Sequence, residues 1–188
     1  MKMKKTISAV ILALMCGAGT ASAAEALNVC KASVGYEGVF AGNVLQGLST
    51  RYWFTKNIGS ELNVYYGSVG VDSDSEGIDA KGDLFLASAK VLYAPVVKDH
   101  SKFYLGLEGG IGSIGAKNDG DDVLPGSLTV YTYGPLVGAE FSFAEIPELG
   151  INWEVGYKFH NVNYSHNDTD IDVNLNGTYV SLGAHYYF

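Results

Sequence analysis

Cysteine is nearly absent from this 188-residue chain, proline is scarce, and basic residues are outnumbered by acidic ones. No apolar run after the first 23 residues is long enough to cross a bilayer as a helix. Each shortage excludes something. Of the two cysteines, Cys16 falls in an N-terminal leader, so Cys30 stands alone and no internal disulfide can form. Cys30 reads as a spare thiol near one edge of the fold rather than half of an intermolecular bridge. The formal charge is −8. Lys2, Lys4 and Lys5 leave with the leader, which takes the mature chain three units further, to −11. Such a chain offers no basic face to a nucleic acid. With no helix-length apolar run, any membrane insertion has to be made by strands closed into a barrel. No repeat of solenoid period is present, and nothing outside the leader shows helical periodicity.

What is present begins with the leader. Met1–Lys5 is basic, Thr6–Cys16 is a short apolar stretch, and Ala21-Ser22-Ala23 is a small-residue cleavage site. Together these read as a secretory signal peptide over residues 1–23, leaving 24–188 as one mature domain. Met15 before Cys16 and Val29 before Cys30 do not fit a lipidation site.

The mature chain is rich in glycine and tyrosine and alternates. Eight alternating segments are expected, at 31–40, 46–54, 61–70, 83–93, 102–112, 128–143, 149–161 and 173–188. Short connectors (55–60, 94–101, 144–148) alternate with longer or more acidic ones (71–82, 113–127, 165–172). One parity carries Tyr36, Tyr52, Leu62, Val64, Tyr66, Val91, Leu105, Leu107, Tyr133, Val137, Trp153, Val155 and Phe159. The opposite parity carries Glu37, Arg51, Glu61, Ser88, Lys90, Glu108, Thr132, Glu140, Glu154, Lys158 and His160.

Parity does not say which face is inside, because a soluble lipocalin-like barrel alternates in the same way. Size and charge density decide. The interior of an eight-stranded barrel is too narrow for all those rings. The polar face carries only one or two charges per strand, fewer than a water-facing surface normally shows. The bulky face therefore points to lipid. The last ten residues agree: Val180, Leu182, Ala184, Tyr186 and Phe188 share one face, and the chain stops on an aromatic residue.

With Phe103-Tyr104-Leu105-Gly106-Leu107-Glu108-Gly109-Gly110-Ile111-Gly112, Tyr133-Gly134-Pro135-Leu136-Val137-Gly138-Ala139, Trp153-Glu154-Val155-Gly156-Tyr157-Lys158-Phe159 and this terminal strand, the mature chain resembles the small OmpA/OmpX/opacity-type outer-membrane barrels. The resemblance implies an all-β, eight-stranded antiparallel up-and-down transmembrane barrel in the outer membrane of a Gram-negative bacterium. It implies contact with outer-membrane lipid and lipopolysaccharide, and assembly by the barrel-assembly machinery reading Tyr186 and Phe188. It also implies a non-enzymatic role in envelope integrity, adhesion or host contact through acidic extracellular loops. No peptidoglycan-binding domain is expected after the barrel segment. Pro135 deletes a ladder donor within a strand and marks a candidate bulge.

Four constellations are candidates for chemistry. Glu37, Glu61, Glu108, Glu140 and Glu154 with Arg51, Lys90 and Lys158 form a lumen charge network, because buried charges have to pair. It plugs the barrel or, alternatively, lines a narrow pore whose acidic excess prefers cations. Asp72, Asp74, Glu76 and Asp83 loosely match a calcium loop, but no helices flank them and a solvated acidic loop accounts for them; no metal is expected. The wider acidic rim, with Asp119, Asp121, Asp122, Asp168, Asp170 and Asp172, reads as a surface that holds divalent ions against lipopolysaccharide phosphates. His160, Ser165 and His166 invite a lipid-modifying hydrolase reading, yet no motif of such enzymes is intact. No enzyme activity and no cofactor are expected.

Overall fold

An alternating strand needs a different environment on each face, and this chain supplies them by curling one sheet into a closed ring. The computed structural model describes residues 32–40, 44–73, 78–118, 121–122, 128–166 and 169–188. Its strands are β1 (Ala32–Phe40), β2 (Val44–Trp53), β3 (Ile58–Ser73), β4 (Ile78–Lys98), β5 (Ser101–Asn118), β6 (Asp121–Asp122), β7 (Leu128–Phe143), β8 (Ile146–His166) and β9 (Thr169–Tyr187). The eight long strands pair antiparallel in chain order, β4 pairs with β5, and β1 pairs with β9, so the ring has no open edge at its waist. The two-residue β6 sits beside the end of β5, outside the ring. Following the register once around returns to β1 displaced by roughly ten residues, the stagger that tilts the strands against the barrel axis. Among the described residues there is no helix.

The eight expected segments are strands, but most run further than expected. Much of 71–82, 113–127 and 165–172, expected as loop, is ladder: β3 reaches Ser73, β4 starts at Ile78, β5 reaches Asn118, and β8 and β9 extend to His166 and Thr169. The same holds at 94–101, where only Asp99 and His100 form the turn. Aspartate, glycine and serine signal turns, yet a hairpin standing in water carries polar residues on its outer face without ceasing to pair. Pro135 does not make a bulge: it stays opposite Leu107, and the β7–β8 register is the same on either side of it. The register shift in β4 lies instead between Tyr93 and Val96, around Ala94-Pro95.

The barrel is inside-out relative to a soluble protein. Leu62, Val64, Val91, Leu105, Leu107, Val137 and Val155 are exposed on the outer face and form its aliphatic middle. Phe54, Tyr93, Phe103 and Phe143 ring the short-turn end, and Tyr66, Phe85, Tyr131, Tyr133 and Phe159 ring the other. That band and its two belts match a bilayer's hydrocarbon and its interfaces. At the second belt the Tyr66 hydroxyl donates to Asp83 Oδ1 (3.0 Å) and the Tyr157 hydroxyl to Asn176 Oδ1 (2.7 Å). Tyrosine therefore keeps its ring in the belt and its hydroxyl among polar groups beyond it.

Candidate functional site

Side chains of the opposite parity fill the lumen. The register lines up charges of alternating sign across four strands: Arg51 faces Glu61, Glu61 faces Lys90, and Lys90 faces Glu108. Opposite charges facing across strands are mutually stabilising. Where a charged residue does not face another charge it often faces glycine. Glu37 sits between Gly47 and Gly183, Glu154 faces Gly138, and Lys158 faces Gly177. The missing side chains leave room for long charged ones to reach across the lumen.

At the centre, Lys90 Nζ lies 2.9 Å from Glu37 Oε1, 2.8 Å from Glu61 Oε1 and 2.6 Å from Glu154 Oε2. These three carboxylates offer oxygens within 4.8 Å of one another, a spacing suited to a metal ion. The ammonium of Lys90 already bonds to all three, so the chain supplies its own cation. Arg51 donates from Nε to Glu61 Oε2 (2.6 Å), pairs through Nη2 with the same carboxylate, and reaches Glu154 Oε1 at 3.2 Å. Its Nη1 lies 3.2 Å from Glu140 Oε2. All these side chains are buried. Beside them His185 bonds through its two ring nitrogens to Asn152 Oδ1 and Ser49 Oγ.

Aromatic side chains cap this layer on both sides. Toward the short turns, the Tyr187 hydroxyl donates to Glu140 Oε1 (2.7 Å) and accepts from Trp53 Nε1 (3.3 Å); Tyr104 donates to Glu154 Oε1 (2.8 Å). Lys102 Nζ sits 3.9 Å above the Trp53 ring. Toward the other end, Lys158 Nζ pairs with Glu108 Oε2 (2.9 Å) and lies 4.2 Å from the Tyr179 ring centre, while the Tyr179 hydroxyl donates to Glu108 (3.2 Å).

All eight expected lumen residues are therefore in one interior. Sequence reasoning missed Lys102 and the inward rings of Trp53, Tyr65 and Tyr104; Tyr179 and Tyr187 are inward as the alternation of the last strand implies, opposite Val180, Leu182 and Tyr186. Parity was the available signal, since Tyr104 shares the parity of Glu108 and Trp53 that of Arg51. The narrowness of the barrel had argued for small inward residues. Glycine resolves the conflict: a Cβ on Gly138 would come within 2.7 Å of the Tyr104 ring, and one on Gly59 within 2.7 Å of Trp53. Lys102 stands at the start of the expected 102–112 segment, and its partner across β7 is Glu140. With it, among the described residues five buried glutamates meet four buried lysine and arginine side chains, so the acidic excess shrinks to one.

Of the calcium-loop residues, Asp74 and Glu76 lie outside the described residues. The backbone of Asp72 pairs with Asp79 in β3–β4, and Asp83 is exposed beside Tyr66. Of the wider rim, Asp119 and Asp168 lie outside the described residues. Asp121 and Asp122 form β6, and Asp170 and Asp172 are in β9. His160 is half-buried on the inner face; Ser165 and His166 end β8. Tyr186 is exposed to the lipid side, and the Phe188 N–H donates to Ala32 O (3.0 Å), tying the terminus to β1. Cys30 lies outside the described residues.

No family model matches the sequence, and no curated protein matches it. Solved structures do. Outer membrane protein H (OprH) of P. aeruginosa aligns with a TM-score of 0.52 at 16% identity, covering 84% of this chain and 99% of that one. Outer membrane protein AlkL, solved in lipid bilayers, aligns at 0.50 and 14%, covering 91% and 95%. Ail, the attachment invasion locus protein of Yersinia pestis, aligns at 0.45 and 18%, covering 84% and 97%. At these identities the likeness is one of fold. That fold, with a lipid-facing apolar band and a charged interior, is the small eight-stranded barrel of the outer membrane.

Proposed function

We propose that this outer-membrane barrel is a non-enzymatic surface protein whose lumen is a sealed ion-pair plug and whose working surface is the long-hairpin end, facing outward. One observation carries this: the side chains of Arg51, Lys90, Glu37, Glu61, Glu140 and Glu154 are all buried across the middle of the lumen, bonded to one another and capped by aromatic rings. A conducting pore needs water-filled space there. The network holds neighbouring strands in register, and the outer face contacts lipid. The outward hairpins, rich in acidic residues, present a surface for lipopolysaccharide held through divalent ions, or for a host or surface ligand; envelope integrity and adhesion are the roles this supports. Residues 1–23 act as the export signal, and Tyr186 with Phe188 as the assembly signal.

Planar-bilayer recording of the refolded protein tests the plug: no steps above baseline are expected. Sustained conductance with cation preference would replace it with the narrow-pore reading. Lipid A mass spectra from cells with and without the protein are expected to be identical; a new or missing acyl chain would make it an enzyme.

A further inference from the structure

Beyond the belt of Tyr66, Phe85, Tyr133 and Phe159 the long hairpins form a collar in which the two faces exchange character. On β8 and β9 the parity of buried Glu154, Tyr179 and Ser181 continues as Val162, Val173 and Leu175, while the outer parity carries Asn161, Asn174 and Asn176. The hairpins are unequal in height. β8 and β9 stay paired as far as His166 and Thr169, whereas β1 ends at Phe40, opposite Val180. On its β1 side, β9 is therefore unpaired from Thr169 to Tyr179 among the described residues. β3 likewise runs on to Ser73 beyond Tyr66, where its pairing with β2 stops. The gap between these two edges is the one left by two strands, roughly 14 Å across at about 4.8 Å per step.

The closed part of β9 fixes the backbone direction at the open edge. The Phe188 N–H donates to Ala32 O on β1, and in an antiparallel ladder alternate residues turn both backbone groups to the same side. Even-numbered residues at the end of the chain therefore turn to β1, and Asp170, Asp172, Asn174 and Asn176 present N–H and C=O into the gap. Ile171, Val173 and Leu175 turn to β8 instead. Val173 and Leu175 also keep 43% and 58% of their surface exposed. A row of free backbone groups beside an apolar face is a template for another strand. No proline, lysine or arginine guards it between 169 and 179, and no register shift interrupts it.

No segment of the chain is placed to cover this edge. The β1–β2 connection is three residues long, 41–43, and could extend the β1 ladder no further than Gly177. Residues 24–31 lead into β1 at the opposite, short-turn end. Residues 74–77 and 167–168 close their own hairpins. On β5 the corresponding edge is occupied, because β6 folds back on Lys117 and Asn118. The five residues left there, 123–127, return to β7 across the ring, and out and back they span no more than about 10 Å. A second copy of the chain would bring a second acidic edge, and like charges across strands repel.

We propose that the open edge of β9 takes up one extended segment of a basic partner polypeptide as an added strand, antiparallel to β9. Its aliphatic residues lie beside Val173 and Leu175, and lysine or arginine fills the alternate positions. In strand addition the backbone bonds give affinity and the alternating side chains give selectivity. The strands that bound the gap carry Asp72, Asp170 and Asp172, so the charge of the edge selects a cationic segment. This names the class of partner for the outward-facing working surface and rests on that reading.

The test uses the full barrel in phosphatidylcholine nanodiscs and a fluorescent dodecapeptide of alternating valine and lysine. Binding read by polarisation is expected to saturate, and the valine–glutamate counterpart is expected not to bind. In hydrogen exchange followed by NMR, the Asn174 and Asn176 amides should exchange fast in the free barrel and slow by about tenfold or more with the peptide, the protection a paired strand gives. The Val173 and Leu175 amides should be slow in both. Asn174→Pro removes an N–H from the edge and leaves the β8 ladder intact, the one setting in which a strand tolerates proline. It should keep the gel mobility of the wild type before and after boiling and weaken peptide binding about tenfold, the scale of one or two lost hydrogen bonds. Slow exchange at Asn174 and Asn176 without peptide would show the edge already paired and overturn the proposal. Peptide binding unchanged in Asn174→Pro would reduce it to charge attraction and overturn it equally. Asn174→Cys in a Cys30→Ser background tests the reading beneath: on intact cells it should react with a membrane-impermeant maleimide. No reaction would overturn the outward orientation and the partner with it, whereas reaction without peptide binding would overturn the added strand alone.

Discussion

The membrane-embedded wall and the collar above it are made by the same strands, in the same register, with the same parity, and yet they are opposite in polarity. On β8, Val155 and Tyr157 face out while Glu154 and Lys158 face in; a few residues later Asn161 faces out and Val162 in. The crossover falls where Tyr66 and Tyr157 pass their hydroxyls to Asp83 and Asn176. Backbone geometry does not change there. The outer solvent changes from hydrocarbon to water, and the interior takes whichever residues remain. Alternation in a barrel strand therefore reports its surroundings at each height.

The sharpest break of that comparison is at Arg51. Arg51→Met leaves Glu61, Glu140 and Glu154 buried without their guanidinium and should cost about 3–5 kcal/mol in urea unfolding of the refolded barrel. A wild-type midpoint would mean that water reaches the lumen. Leu105→Arg or Val155→Arg, on the lipid face, should cost about 2–4 kcal/mol, whereas Leu175→Arg on the collar should cost under about 1 kcal/mol. Equal penalties would erase the distinction between the two regions. Gly138→Val drives a side chain into the Tyr104 ring, with an expected loss of about 1–3 kcal/mol from overpacking. Tyr157→Phe removes the bond to Asn176 at the boundary and should cost only about 0.5–1.5 kcal/mol. Raising salt from low to molar concentration should leave the unfolding midpoint nearly unmoved, because buried pairs are screened far less than surface ones; a steep salt dependence would place the network in contact with water.

Much of the fold could be read without the structure. The period-two pattern identified eight strands, and charge density chose the lipid face correctly for residues such as Leu107, Tyr133 and Trp153. The outer ends of the strands escaped because their composition imitates turns: 71–82 contains four acidic residues and four glycines or serines. The lumen was read in part. Glu37, Arg51 and Lys90 announce themselves as charges on the polar parity. Trp53 and Tyr104 look like lipid-facing residues until glycine on the neighbouring strand is known to make room for them.

The class of fold and the two faces of each strand follow from the residue pattern alone, because side-chain alternation is local and follows from the pleat. Which charges meet, that Lys90 gathers Glu37, Glu61 and Glu154 from three other strands, and where the outer face passes from lipid to water emerge only in the folded barrel. Those depend on register and on closure of β1 against β9, which are set by contacts between residues as far apart as Glu37 and Gly183.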